Sequence, residues 1–273
     1  MRSLLPFQLV ASDLDGTLLN GQHVVGDFTI DTLRKLEQKQ VDIVVATGRK
    51  HEDVFSIVAK IGIENIRMIT SNGARIHDLS GRLLYKNDLP ADLALEIMNV
   101  PFDKNKIFVN SYQDSGWFID REVPQMAKYH QDSGFGYQVV DFRHHDAQGT
   151  EKVFFIARCQ QDLLELEQHL RQTYGDRTEI VYASLNCLEI MNKGVSKGNA
   201  LRKVLHDCHY DNSACIAFGD GMNDETMLDF VGKGCIMQNA NPALIRALPQ
   251  LEIIGHHAHE AVASYLRATF GII

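Results

Sequence analysis

Short apolar runs alternate along the chain with stretches whose apolar positions recur at helical spacing. Leu9 to Ser12 reads as a strand ending. Phe28 to Gln38 predicts an amphipathic helix, with Ile30, Leu33 and Leu36 at helical spacing. Val41 to Ala46 is an apolar run of the kind shown by a strand buried on both faces. Val54 to Ile61 is helical again, and Arg67 to Thr70 is another short strand. This β-α-β-α-β opening predicts a parallel sheet wound right-handedly. The same rhythm returns late. Strands are expected at Cys187 to Met191, Ala214 to Phe218, Cys235 to Met237 and Leu251 to Ile254, with helices at Lys197 to Leu205, Asp224 to Phe230 and His259 to Phe270.

The middle reads differently. IFVNSY and GWFID flank Gln113-Asp114-Ser115-Gly116, which is a hairpin pattern rather than a β-α-β one. A strand at Val153 to Ala157, a helix at Asp162 to Tyr174 and a strand at Glu179 to Ala183 follow. The expected architecture is a doubly wound, parallel-sheet α/β core of residues 1–86 and 187–273. An α+β domain, residues 87–186, is inserted into it, with hinges at Leu89-Pro90 and around Ser184.

With 273 residues, the chain has room for one large domain or two modest ones. Its formal charge is −8 and it carries no Lys/Arg run, which argues against nucleic acid as a partner. No apolar run reaches the roughly 20 residues needed to span a bilayer, so no membrane segment is expected. The opening MRSLLPFQLVAS imitates a secretory signal but reads better as a buried first strand. Five cysteines, an odd number with no C-x-x-C pair, fit a reduced, cytoplasmic compartment.

Four constellations carry candidate chemistry. Ser12-Asp13-Leu14-Asp15-Gly16-Thr17 follows the first strand, at the edge where open α/β sheets form sites. Strand alternation would point Asp13 and Asp15 to one side, and Gly16 lets the chain turn. An acidic turn is the plain alternative. A calcium loop is not, because its twelfth position is Val24 instead of Glu. Thr47-Gly48-Arg49 offers a hydroxyl and backbone N–H groups to phosphate oxygens, or is an ordinary strand-to-helix turn. Ser196-Lys197-Gly198 opens a helix that Ser196 can cap, while Lys197 opposes the macrodipole. A bound anion would relieve that conflict; a solvated lysine is the alternative. Gly219-Asp220-Gly221-Met222-Asn223-Asp224 crowds acids and an amide into a glycine-rich turn. If Asp13, Asp15, Asp220 and Asp224 converge, each close pair costs about 4 kcal/mol at an effective dielectric of ~20. Such a cluster needs a cation, and a few hard oxygen ligands indicate Mg²⁺.

The set and its order resemble the haloacid dehalogenase-like superfamily of phosphotransferases. SDLDGTLL, ATGR, the VSKG lysine and FGDGMND match its four motifs. SNGARIHD and CLEIMNKGVSKG further resemble its Cof-type branch, which carries a large α/β cap between the second and third motifs. Within that branch the chain looks closest to bacterial pyridoxal phosphate and sugar-phosphate phosphatases. The resemblance implies a Mg²⁺-dependent phosphatase of small phosphorylated metabolites that works through an aspartyl-phosphate. It makes Asp13 the nucleophile and Asp15 the proton donor and acceptor. It makes Asp13, the backbone carbonyl of Asp15, and Asp220 the metal ligands, with Asp224 acting through water or behind them. It assigns phosphate contacts to the Leu14 backbone, Thr47, Gly48, Lys197 and Asn223. The inserted domain would close over the site and select the leaving group. Two alternatives stand beside this: a phosphatase of a phosphorylated pyrimidine precursor of thiamin, and, in a different class, a receiver-like phosphoacceptor domain. The second acid at Asp15 and the large insertion favour the enzyme.

Other features read as structural. His256-His257-Ala258-His259 is expected to be a surface loop into the last helix, and His144-His145 a solvated segment. Trp117-Phe118 is expected to pack the inserted domain, with contact to an aromatic substrate as the alternative. His51 is expected at an exposed helix start.

Overall fold

The structure, a computed structural model, describes residues 5–126 and 134–273. Its strands are β1 (Leu9–Ser12), β2 (Asp42–Ala46), β3 (Ile66–Thr70), β4 (Arg75–Asp78), β5 (Leu83–Lys86), β6 (Phe108–Gln113), β7 (Gly116–Ile119), β8 (Tyr137–Val139), β9 (Thr150–Ile156), β10 (Thr178–Ser184), β11 (Cys187–Asn192), β12 (Cys215–Gly219), β13 (Lys233–Ile236) and β14 (Glu252–Ile253). Its helices are α1 (Asp27–Gln38), α2 (His51–Ala59), α3 (Ala91–Met98), α4 (Leu164–Tyr174), α5 (Lys197–Asp207), α6 (Glu225–Phe230), α7 (Pro242–Ala247) and α8 (Ala261–Phe270). They form two compact units. One holds the chain up to Leu84 together with Ser196–Ile273, the other Tyr85–Val195.

The first unit is built on a sheet of order β14-β13-β12-β1-β2-β3-β4-β5. From β14 to β3 every neighbouring pair is parallel, and β4 runs antiparallel to β3. All residues of β1, β2 and β12 are buried, which is why these strands read as mainly apolar runs, with Ser12 and Asp42 the polar members at their ends. Val10, Ile43, Val45, Ile216 and Phe218 pack in one cluster with Leu33 and Leu36 of α1 and Leu266 of α8. Burying each such side chain stabilises the fold by roughly 1.5–3 kcal/mol. The chain leaves β1 toward β2 and β3, then returns on the opposite side through β12 to β14, so the strand order reverses beside β1.

The second unit is a sheet of order β10-β11-β9-β6-β7-β8, antiparallel except for the β7–β8 pair. Val109, Val153, Phe155, Leu188 and Ile190 pack on Leu93 and Ile97 of α3 and Leu166 and Leu170 of α4. Tyr112, Trp117, Met126 and Phe154 form a separate buried cluster. Trp117 is 1% exposed, and its Nε1–H donates to Asn110 Oδ1 at 2.9 Å. It therefore packs, as the plainer expectation had it, and presents no surface to a ligand.

Two expectations need correction. Cys187 to Met191 does not join the first sheet. It forms β11 and pairs antiparallel with β10 and β9 in the second. CLEIM alternates: Leu188 and Ile190 enter the helix-covered core, while Glu189 pairs with the buried Lys152. The compact units accordingly part after Val195 and before Tyr85, in place of the expected 187 and 87. The hairpin-like pair β4 and β5 also extends the first sheet beyond the anticipated strands. The five cysteines are unpaired, and no described helix is long and apolar enough to cross a membrane.

Candidate active site

Three parallel neighbours, β12, β1 and β2, end side by side, and the residues that follow them are Asp220, Asp13 and Thr47. The ladder runs one residue beyond β1, since Asp13 N–H donates to the Phe218 carbonyl at 3.0 Å. Open α/β sheets form sites where strand order reverses, and this is that point. Lys197 arrives from α5 as its first residue. Ser196 caps the helix, its Oγ accepting from Asn199 N–H at 3.1 Å.

Lys197 is fully buried and not solvated. Its Nζ donates to Asp13 Oδ1 at 2.7 Å and to Asp224 Oδ1 at 2.6 Å. The other oxygen of Asp224 accepts from the backbone N–H groups of Asp220 and Gly221, both at 2.9 Å. Asp13, Asp220 and Asp224 each offer one carboxylate oxygen within a 4.8 Å cluster. Burial, reinforced by Asp224, Asp220 and Asp15 and opposed by Lys197, pushes the Asp13 carboxyl well above its usual range. Burial and then Asp224 push Asp220 up to about 6. Burial disfavours the Lys197 charge, but Asp13 and Asp224 overcome it and hold the ammonium above its ordinary pKa. With all three acids ionised, three carboxylates against one ammonium would leave an excess of two negative charges. Hard oxygen donors in that number and charge suit a divalent cation such as Mg²⁺.

The turn after β1 is shaped by Gly16, whose φ is +76°; a Cβ there would lie 2.4 Å from Asp220 Oδ2. Thr17 Oγ1 donates to Asp220 Oδ1 at 3.2 Å. Asn239 Nδ2 donates to the Gly16 carbonyl at 2.8 Å, and its Oδ1 accepts from His257 N–H at 3.1 Å. His257 is thus tied to this turn, and its Nδ1 also bonds the Leu19 carbonyl at 2.8 Å. Asn223 donates from Nδ2 to Asn72 Oδ1 at 3.0 Å, and Asn72 N–H donates to the Thr47 carbonyl at 3.0 Å. Thr47 is buried, with Oγ1 accepting from Arg49 N–H at 3.1 Å. A Cβ on Gly48 would lie 3.1 Å from Asn72 Oδ1. The Leu14 side chain enters the core cluster, leaving its backbone on the loop.

Asp15 stands apart. Its carboxylate lies outside the acidic cluster and pairs with Arg49 at 2.6 and 2.7 Å. The structure thus gathers Asp13, Asp220, Asp224 and Lys197, links Asn223 to the Thr47 turn through Asn72, and turns the Asp15 side chain toward Arg49. Among the other site neighbours, Thr17 and Arg49 belong to the first two sequence constellations but carry no role of their own there, and Asn72 and Asn239 stand outside all four. Asn72 and Arg49 lie inside the SNGARIHD and ATGR segments, whereas Asn239 carries no local signal.

Residues 10–266 match the haloacid dehalogenase-like hydrolase family. The chain belongs to it. This hydrolase is 58% identical over 268 residues to a Haemophilus influenzae protein to which phosphatase activity is ascribed, covering 98% of each chain. It is 39% identical over 260 residues to the HMP-PP phosphatase of Yersinia pestis, covering 95% of this chain and 94% of that one. Solved structures with the same fold include a haloacid dehalogenase-like hydrolase from B. subtilis, with TM-score 0.83 and 23% identity over 95% of this chain and 99% of that one. A HAD subclass IIB sugar phosphatase matches with TM-score 0.82 and 19% identity over 97% of this chain and 100% of that one. The hydrolase is a phosphatase of the Cof-type branch, which sets aside the receiver-like alternative.

Proposed function

We propose that this phosphatase hydrolyses small phosphorylated metabolites through a phosphoryl group carried on Asp13. The observation that supports this best is the buried contact of Lys197 with Asp13 at 2.7 Å. It places a fixed cation beside a carboxylate at the end of the central strand. An Asp13 oxygen attacks phosphorus, the bond from phosphorus to the leaving oxygen breaks, and Asp15 gives that oxygen its proton. Asp15 then takes a proton from water as the water attacks the aspartyl-phosphate, releasing inorganic phosphate and restoring Asp13. Thr47, Gly48, Asn223 and the Leu14 backbone orient the phosphoryl oxygens, and Lys197 offsets their charge. Asp13, Asp220 and the Asp15 carbonyl would hold Mg²⁺, which offsets charge on the phosphoryl group when bound. Asp224 supports the cluster, since its two oxygens accept from Lys197 and from two backbone N–H groups.

The chemistry falls to the first unit and selection of the leaving group to the second. Pyridoxal phosphate and sugar phosphates are the first substrates to try. The 39% identity to HMP-PP phosphatase favours HMP-PP as a second reading. Phosphate release from all three with Mg²⁺ or EDTA tests the proposal. Turnover that survives chelation, or no turnover of any phosphorylated metabolite in a wider panel, would contradict it.

A further inference from the structure

Arg49 closes the ATGR turn, and the chemistry proposed for the site gives it no task. Its guanidinium meets Asp15 with two parallel bonds, Nε to Oδ2 at 2.7 Å and Nη2 to Oδ1 at 2.6 Å. Its remaining nitrogen, Nη1, donates to Asp53 Oδ2 at 2.8 Å. The Asp53 side chain is 2% exposed and sits in the first turn of α2, so the far side of the guanidinium rests on a buried carboxylate. The backbone is fixed as well. Arg49 N–H donates to Thr47 Oγ1 at 3.1 Å, and the Arg49 carbonyl accepts from Ser71 N–H at 2.8 Å.

Asp15 lacks comparable support from packing. Its side chain is 47% exposed, and it stands outside the cluster of Asp13, Asp220 and Asp224. A forked pair fixes both the place and the plane of a carboxylate, which a point charge does not. We propose that Arg49 is a positioning residue for Asp15 and that Asp53 holds Arg49 in place. The proposal rests on Asp15 being the group that transfers the proton. Each Asp15 oxygen that accepts from Arg49 keeps a further lone pair for that proton.

The test uses the intact protein with Mg²⁺ and two substrates, p-nitrophenyl phosphate with a good leaving group and an alkyl phosphate with a poor one. Asp15→Asn is expected to lose about 10²–10⁴-fold in kcat on the alkyl phosphate and much less on the aryl one. Arg49→Gln is expected to show the same asymmetry, with a loss up to about 10²-fold on the alkyl phosphate, as a displaced catalytic group does. Its KM and its inhibition by inorganic phosphate should stay at the parent values. Arg49→Lys, which cannot form the fork, should fall between. The double variant should lose no more on the alkyl phosphate than Asp15→Asn alone.

Equal losses of Arg49→Gln on both substrates would overturn the positioning role, as would single losses that multiply in the double variant. Weakened inhibition by inorganic phosphate would also overturn it, because Arg49 would then touch the phosphoryl group itself. A symmetric Asp15→Asn would remove the proton-transfer role of Asp15 and this proposal with it. Asymmetry in Asp15→Asn alone would overturn only the role of Arg49. Should Arg49→Gln fail to fold, Asp53→Asn must reproduce the asymmetry, and a symmetric loss there counts against the proposal.

Discussion

Lys197 is one fully buried side chain with two acidic partners. Replacing it with Met leaves Asp13 and Asp224 buried without their cation. Breaking a buried pair in this way costs roughly 3–5 kcal/mol. Urea unfolding of Lys197→Met in EDTA should show that loss, with turnover reduced to background. A stability equal to the parent's would mean that the ammonium is not buried between the two acids. Asp220 carries a pH signature of its own. Its carboxyl titrates at about 6 in the metal-free fold, against an ordinary value of 3.8. Between those values the folded chain holds more protons than the unfolded one, so metal-free stability falls as pH rises through that window. Mg²⁺ prefers the ionised carboxylates, so the rise in Tm on adding Mg²⁺ should be larger at about pH 7.5 than at about pH 5. An equal rise at both would place the cation elsewhere.

The elements differ in how plainly the chain announces them. β1, β2 and β12 are buried on both faces and surrounded by parallel neighbours, so their apolar runs were unmistakable. A short apolar run such as CLEIM says strand without saying which partner it has, and β11 pairs with β10 and β9 of the second sheet instead of joining the first. Histidines also deceived. His51 was expected at the surface, yet it stacks on His77 of β4, with ring centroids 3.9 Å apart. His145 was expected to be solvated, yet it packs on Phe118 at 4.4 Å and bonds Gln113. Burial, followed by His51, Arg75 and Lys50 and opposed by Glu52, lowers His77 from 6.5 to about 4. The unfolded chain therefore takes up a proton at a pH where the folded one refuses it. The stability this stack supplies is complete above about pH 6.5 and is lost as pH falls through about 4. His77→Gln should flatten that part of the curve of Tm against pH; an unaltered slope would refute it. Within the second sheet, Trp117→Ala should cost roughly 3–5 kcal/mol as a core truncation. The ratio of activities on pyridoxal phosphate and a sugar phosphate should not move. A changed ratio at unchanged Tm would make Trp117 a substrate contact after all.

Across the whole molecule, the parts of the site that were legible are those that follow strand ends. Asp13, Thr47 and Asp220 are adjacent in space because β1, β2 and β12 are adjacent and parallel, and the periodicity of the chain contains that information. The conflict of Lys197 with the dipole of α5 marked the position, but its partners are the Asp13 and Asp224 carboxylates and not solvent. The bridges between motifs were not legible, because Arg49 to Asp15, Asn223 to Asn72 and Asn239 to Gly16 span 34, 151 and 223 positions. A polar side chain does not reveal a partner that only the fold brings near. The central claim is that this phosphatase carries the phosphoryl group on Asp13. Its most direct test is acid quenching of the intact Asp15→Asn protein during reaction with Mg²⁺ and p-nitrophenyl phosphate, followed by peptide mass mapping. Loss of the base should slow the second step, so a phosphoryl group labile to hydroxylamine is predicted on Asp13. Release of p-nitrophenol with Asp13 unmodified, or a phosphoryl group on any other residue, would contradict it.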